Sequence, residues 1–204
     1  MAKQFKRDFV DRKSLDAPDM QALRKMAPPA DMPFDITKIG HVVLNVKEVE
    51  RSTEFYTQVM GFRVSDTYPE SMMPGRMVFL RFNNDHHGLA LVGGSERTVD
   101  NTEMHHMAFQ VETLDEVFRA RDYLEKNKVH IEFSGRRRGG CQVAVEFRDP
   151  DGHFLEIYCL LDQVGPNEEA RSAEEWRPVA SLEDALDNAP PGQNMKLLDP
   201  DLRR

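Results

Sequence analysis

Two stretches of the chain alternate in the same way. Residues 41–46 read His-Val-Val-Leu-Asn-Val and residues 106–111 read His-Met-Ala-Phe-Gln-Val. In each, a histidine is followed by three apolar positions, an amide and a valine. Alternation at period two marks a β-strand. The same order of types in two places marks a duplicated unit. On this parity His41, Val43 and Asn45 share one strand face, and Val42, Leu44 and Val46 share the other.

The pattern then repeats its sequel. After residues 36–46 comes an amphipathic helix over about 49–60, with Ser52, Phe55, Tyr56, Val59 and Met60 near one stripe and Gly61 as a stop. Strands follow over 62–66, 76–82 and 88–92. The second unit opens with the strand over 104–111. Thr113 and Glu116 form a capping box for a helix to about residue 127, with Leu114, Val117, Ala120, Arg121 and Leu124 near its buried side. Strands over 129–133, 141–147 and 153–160 complete it, the last two joined by the turn Asp149-Pro150-Asp151-Gly152. The expected fold is therefore α+β: two tandem βαβββ modules, about 36–93 and 102–161, whose sheets close around a shared cavity. Residues 1–35 and 162–204 are extensions. In the first, a helix over 14–26 with Met20, Leu23 and Met26 on one face precedes an extended stretch set by Pro28, Pro29 and Pro33. In the second, short helices over 166–177 and 181–188, the latter capped by Ser181, are read as surface wrapping.

Charge narrows the partners. The formal net charge of -8 argues against nucleic acid or an anionic membrane surface, which require a basic face. No secretory signal is visible, and no apolar run approaches the ~18 residues of a membrane span. Two cysteines, Cys141 and Cys159, both fall in expected strands and make no disulfide framework, which points to a reducing cytoplasm.

Candidate chemistry follows from parity. In the last strand Phe154, Glu156 and Tyr158 share a face. A carboxylate in an otherwise apolar strand is expensive to bury unless a cation or a metal compensates it. His41, His106 and Glu156 supply two imidazoles and one carboxylate, a facial metal site with open positions. His105 competes with His106, but alignment with His41 favours His106, and a one-residue slip turns the side chain to the other face.

As a set, Ile39-Gly40-His41-Val42-Val43-Leu44, Phe55-Tyr56 before Met60-Gly61-Phe62, His106-Met107-Ala108-Phe109, and Asp149-Pro150-Asp151-Gly152 with Glu156 after it resemble the vicinal oxygen chelate superfamily. That superfamily includes glyoxalases, bleomycin-resistance proteins and type I extradiol dioxygenases. The resemblance covers about residues 36–161 and implies that His41, His106 and Glu156 are metal ligands. Within it, Asn84-Asp85-His86-His87-Gly88-Leu89-Ala90-Leu91 resembles the strand of extradiol dioxygenases that carries an acid–base histidine, here His87. Glyoxalase-type members tend to place a carboxylate ligand on this strand, and Leu89-Ala90-Leu91 has none. The resemblance thus implies an Fe(II)-dependent, ring-cleaving dioxygenase of aromatic catabolism that takes a catechol-like substrate and O2. A homodimer is expected from the extra surface that residues 1–35 and 162–204 offer. The other readings are a lyase or isomerase using Mn, Ni, Co or Zn, and a non-catalytic small-molecule binder. Two departures stand out. Glu146 occupies the place of a usual tyrosine, and Arg136, Arg137, Arg138 and Gly139 stand where a second histidine is usual. Glu146, Arg137, Tyr158 and Asn45 are expected around the site or its substrate.

Overall fold

The computed structural model describes residues 11–27, 39, 41–96, 104–137, 140–164 and 168–204. At the amino-terminal end, α1 (Arg12–Leu15) and α2 (Pro18–Arg24) replace the single expected helix. Pro18 is the reason. Its ring cannot continue a preceding helical turn but suits the first position of a new one. Leu23 and Met26 stay exposed. The proline-rich stretch that follows lies outside the described residues.

The first module runs β1 (Val42–Asn45), α3 (Val49–Gln58), β2 (Arg63–Tyr68), β3 (Met77–Arg81) and β4 (Leu89–Val92). The second runs β5 (Met107–Gln110), α4 (Leu114–Lys126), β6 (Ile131–Gly135), β7 (Val143–Arg148) and β8 (Phe154–Cys159). Both are βαβββ, as the pattern predicts. The sheets are ordered β1-β4-β3-β2 and β5-β8-β7-β6. Each has one parallel pair, β1 with β4 and β5 with β8. The duplication reaches fine detail: β2 shifts register between Val64 and Asp66, and β6 between Ile131 and Phe133. The two sheets remain separate and do not close into one barrel.

One apolar core runs under both sheets. In α3, Val49, Ser52, Phe55 and Tyr56 are buried at helical spacing, and each large apolar side chain removed from water contributes about 1.5–3 kcal/mol. Gly61, at φ 72°, turns the chain out of this helix as expected. In α4, Thr113 and Glu116 form the full capping box. The modules meet at Phe109, whose ring lies 5.5 Å from Phe62 and 5.7 Å from Phe82.

A polar lock joins the modules beside this core. Glu48 precedes α3 but its side chain caps nothing. Instead Asp151, from the β7–β8 turn, accepts from Lys47 N (2.9 Å), from Arg51 (2.7 Å) and from the buried Ser52 hydroxyl. Its neighbour Asp149 accepts from Tyr56 Oη (2.9 Å) and pairs with His153 Nδ1 at 2.8 Å. The Asp-Pro-Asp-Gly turn is thus also a contact across the modules.

The carboxy-terminal extension is more than surface wrapping. Leu182 and Ala185, on α5 (Leu182–Asp187), are fully buried, and α5 packs on β6 and β7. Arg121 reaches Glu183 at 2.7 Å, and Asp115 accepts from the main-chain N–H groups of Leu198 and Asp199, both at 2.9 Å. Of the helix expected over 166–177, the described residues hold one 3₁₀ turn, Ala173–Glu175. No helix among the described residues is long and apolar enough to cross a membrane.

Candidate metal centre

The second sheet presents its chemistry at Glu156. The carboxylate is fully buried on the face shared with Phe154 and Tyr158. Parallel pairing with β5 sets it beside Ala108, two positions beyond His106. His106 Nε2 lies 3.3 Å from Glu156 Oε2, and Gln142 Nε2 donates to Glu156 Oε1 at 3.0 Å. Across β7–β8, Glu156 stands directly opposite Glu146, which is also fully buried. Two such carboxylates repel at close range unless cations or donors intervene. Arg137 meets Glu146, its Nε donating to Oε1 at 3.2 Å and its Nη2 bonding Oε2, while its guanidinium lies over the Phe133 ring at 4.3 Å.

The first sheet presents imidazoles. His41, just before β1, is exposed, and its ring lies 4.6 Å from that of His87. His87 also stacks edge-on against Phe79 at 5.0 Å, and its Nδ1 lies 3.1 Å from that of His86. Removal from water, then the neighbouring His41 and His86, holds the His87 imidazole below its ordinary pKa. These neighbours favour the neutral imidazole, the form that accepts a proton. Asn45 lies exposed on β1. Tyr158 is half-buried, its hydroxyl 3.5 Å from Gln110 Oε1, and burial followed by the Glu156 charge raises its pKa.

The expected residues therefore arrive as two pairs, His41 with His87 on one sheet and His106 with Glu156 on the other. Among the described residues no three His, Cys, Asp or Glu side chains gather as a metal site. Two ligands at right angles, each about 2.1 Å from an ion, lie about 3 Å apart. The 3.3 Å between His106 Nε2 and Glu156 Oε2 fits that geometry, and imidazole with carboxylate is a suitable donor set.

Three placements differ from the sequence reading. His105 does not turn away: its Nδ1 lies 2.7 Å from that of His106. Strand pairing starts only at Met107, so alternation does not govern the two histidines before it. Arg136 turns from the site to the carboxy-terminal extension, and Arg138 lies outside the described residues. Gln142 was missing from the expected set, although counting alternate positions back from Glu146 reaches it.

A family model described as the Glyoxalase/Bleomycin resistance protein/Dioxygenase superfamily matches residues 38–157, more than half the chain. The chain belongs to this superfamily. Among curated relatives, it is 28% identical over 123 residues to a 3-methylcatechol 2,3-dioxygenase of Pseudomonas putida, an alignment covering 58% of this chain and 40% of that protein. It is 29% identical over 136 residues to an iron-dependent extradiol dioxygenase of Rhodococcus jostii, covering 62% of this chain and 44% of that one. The chain thus spans less than half the length of these two relatives. Of solved structures, a glyoxalase/dioxygenase from Nostoc punctiforme superposes with a TM-score of 0.51 at 24% identity, covering 66% of this chain and 98% of that one, which shows the fold. The superfamily includes extradiol dioxygenases, and metal dependence is supported at that level.

Proposed function

We propose that this chain is an extradiol-type dioxygenase that cleaves a catechol-like aromatic ring with O2, using Fe(II) held by His41, His106 and Glu156. The observation that carries the reading is the buried Glu156 carboxylate in contact with an imidazole at metal-ligand spacing, on a superfamily scaffold whose curated relatives include ring-cleaving dioxygenases. A bound ferrous ion supplies Lewis acidity toward the two substrate oxygens and a redox-active centre for O2. The protein's own residues do the rest. His87, beside His41, takes the substrate hydroxyl proton at a ring nitrogen and later returns it to oxygen. Gln142 orients Glu156, and Arg137 neutralises Glu146 in the place of the usual tyrosine. Tyr158 and Asn45 border the substrate.

Since the histidines sit on different sheets, the third ligand joins when the two faces meet, within one chain or between copies of a homodimer. Mixing His41→Ala and Glu156→Gln subunits restores iron binding only if the site is shared between copies. The two free thiols suit a cytoplasmic setting. The functional test is anaerobic reconstitution with Fe(II), then a panel of catechols in an oxygen electrode. Oxygen uptake with a ring-cleavage chromophore is expected, and its loss in His87→Gln with iron retained. Turnover of a substrate without oxygen consumption would replace this reading with a lyase or isomerase.

A further inference from the structure

Among the described residues, Arg136 is the largest side chain that is fully buried. Its guanidinium donates to four main-chain carbonyls, all in the carboxy-terminal extension. Nε reaches Trp176 O and Arg177 O, both at 3.1 Å, Nη1 reaches Ala185 O at 3.4 Å, and Nη2 bonds Asn188 O. The main chain joins in: Arg136 N donates to Val179 O at 3.0 Å, and Val179 N to Arg136 O at 2.7 Å. Gly135 precedes it at φ 130°, where a Cβ would lie 2.4 Å from Val179 O. The extension runs so close to this strand end that only glycine fits.

A second grip lies at the start of β7. Gln193 Nε2 donates to Leu160 O at 3.0 Å, to Asp162 Oδ1 at 3.1 Å and to Cys141 O at 3.4 Å. Asp162 N donates to Gly140 O at 2.8 Å. The two gripped positions, Arg136 and Cys141, are the immediate neighbours of Arg137 and Gln142. Those two side chains hold Glu146 and Glu156, which face each other across β7–β8. One peptide link separates each grip from a side chain on the site. A displacement of about 1 Å there takes a 3.0 Å hydrogen bond out of range.

We propose that the carboxy-terminal extension is a clamp on the candidate metal centre, in which Arg136 and Gln193 are positioning residues that set the places of Arg137 and Gln142. The clamp is read from the contacts alone; its bearing on metal rests on the function proposed above. It assigns a role to residues 176–193, which lie beyond the part of the chain that the family model matches.

The test uses the metal-free full chain labelled with 15N-arginine or 15N-glutamine, followed by iron titration. Arg136→Lys keeps the charge but loses the fork that spans the carbonyls. It is expected to speed solvent exchange of the Arg137 Nε–H about tenfold, and Gln193→Ala to move the Gln142 side-chain amide signal. Both variants weaken iron binding about tenfold, as loss of support behind a ligand does. Val117→Ala, a core change in α4, serves as the stability control and leaves both signals in place. Gln193 is only half-buried, so its variant folds and decides the matter even where Arg136→Lys does not. Unmoved Arg137 and Gln142 signals in folded variants overturn the clamp. Moved signals in a chain that takes up no iron leave the clamp standing and remove the metal reading instead.

Discussion

The inter-module lock gives a prediction whose parts can be ranked. Asp151→Ala removes one carboxylate that serves three donors. Lys47 N, two residues before α3, loses its acceptor, a loss of about 1 kcal/mol for one hydrogen bond. The Ser52 hydroxyl is left fully buried without that acceptor, at about 1–3 kcal/mol. The Arg51 pair adds little, because the arginine side chain is 41% exposed and solvent screens it. The expected loss is about 2–4 kcal/mol, which for a chain of this size lowers the melting temperature on the order of 10 °C. Urea and thermal unfolding of Asp151→Ala, Ser52→Ala and Arg51→Ala should show losses in that order. An Arg51→Ala loss as large as that of Asp151→Ala would refute the reasoning, since the exposed ion pair would then dominate the buried hydrogen bonds.

Other consequences are simpler to measure. Burial pushes the Cys141 thiol up to about 11 and the Cys159 thiol up to about 12, so neither should react with a thiol reagent at pH 8 until denaturant is added. Asp162 is held below its ordinary pKa first by its hydrogen bond from Arg171, so its stabilisation is complete above the usual carboxylate range and fades as pH falls through the lowered value. Arg171→Gln should therefore move acid unfolding to higher pH, read by the fluorescence of Trp176, whose indole N–H bonds Arg171 O at 3.2 Å. Tyr56→Phe removes a buried hydroxyl from Asp149 and should cost about 1–2 kcal/mol in urea unfolding with no change in slope.

Much of the fold was legible because period two and period 3.6 leave different marks. The His41 and His106 repeats announced two modules, and Thr113 with Glu116 located α4. Glu156 stood out as a carboxylate where the pattern demanded an apolar residue, and the structure buries it. What the sequence concealed depends on partners distant in the chain. Nothing local to Asp151 says that it holds Lys47, Arg51 and Ser52, about a hundred positions earlier. The polar local setting of the arginine run gives no sign that one of its members is buried. Arg136 is buried against main-chain carbonyls, which carry no side-chain signature, and the glycine before it was the available sign. The His105 reading failed for a narrower reason: alternation was extended over His105 and His106, two residues before strand pairing begins at Met107.

The function proposed above requires that His41, His106 and Glu156 hold one ferrous ion. Iron analysis after anaerobic reconstitution tests it most directly, on the wild type and on His41→Ala, His105→Ala, His106→Ala and Glu156→Gln. About one iron per chain is expected in the wild type and in His105→Ala, and its loss in the other three. Iron absent from the wild type, or retained in His106→Ala and lost in His105→Ala, would contradict it.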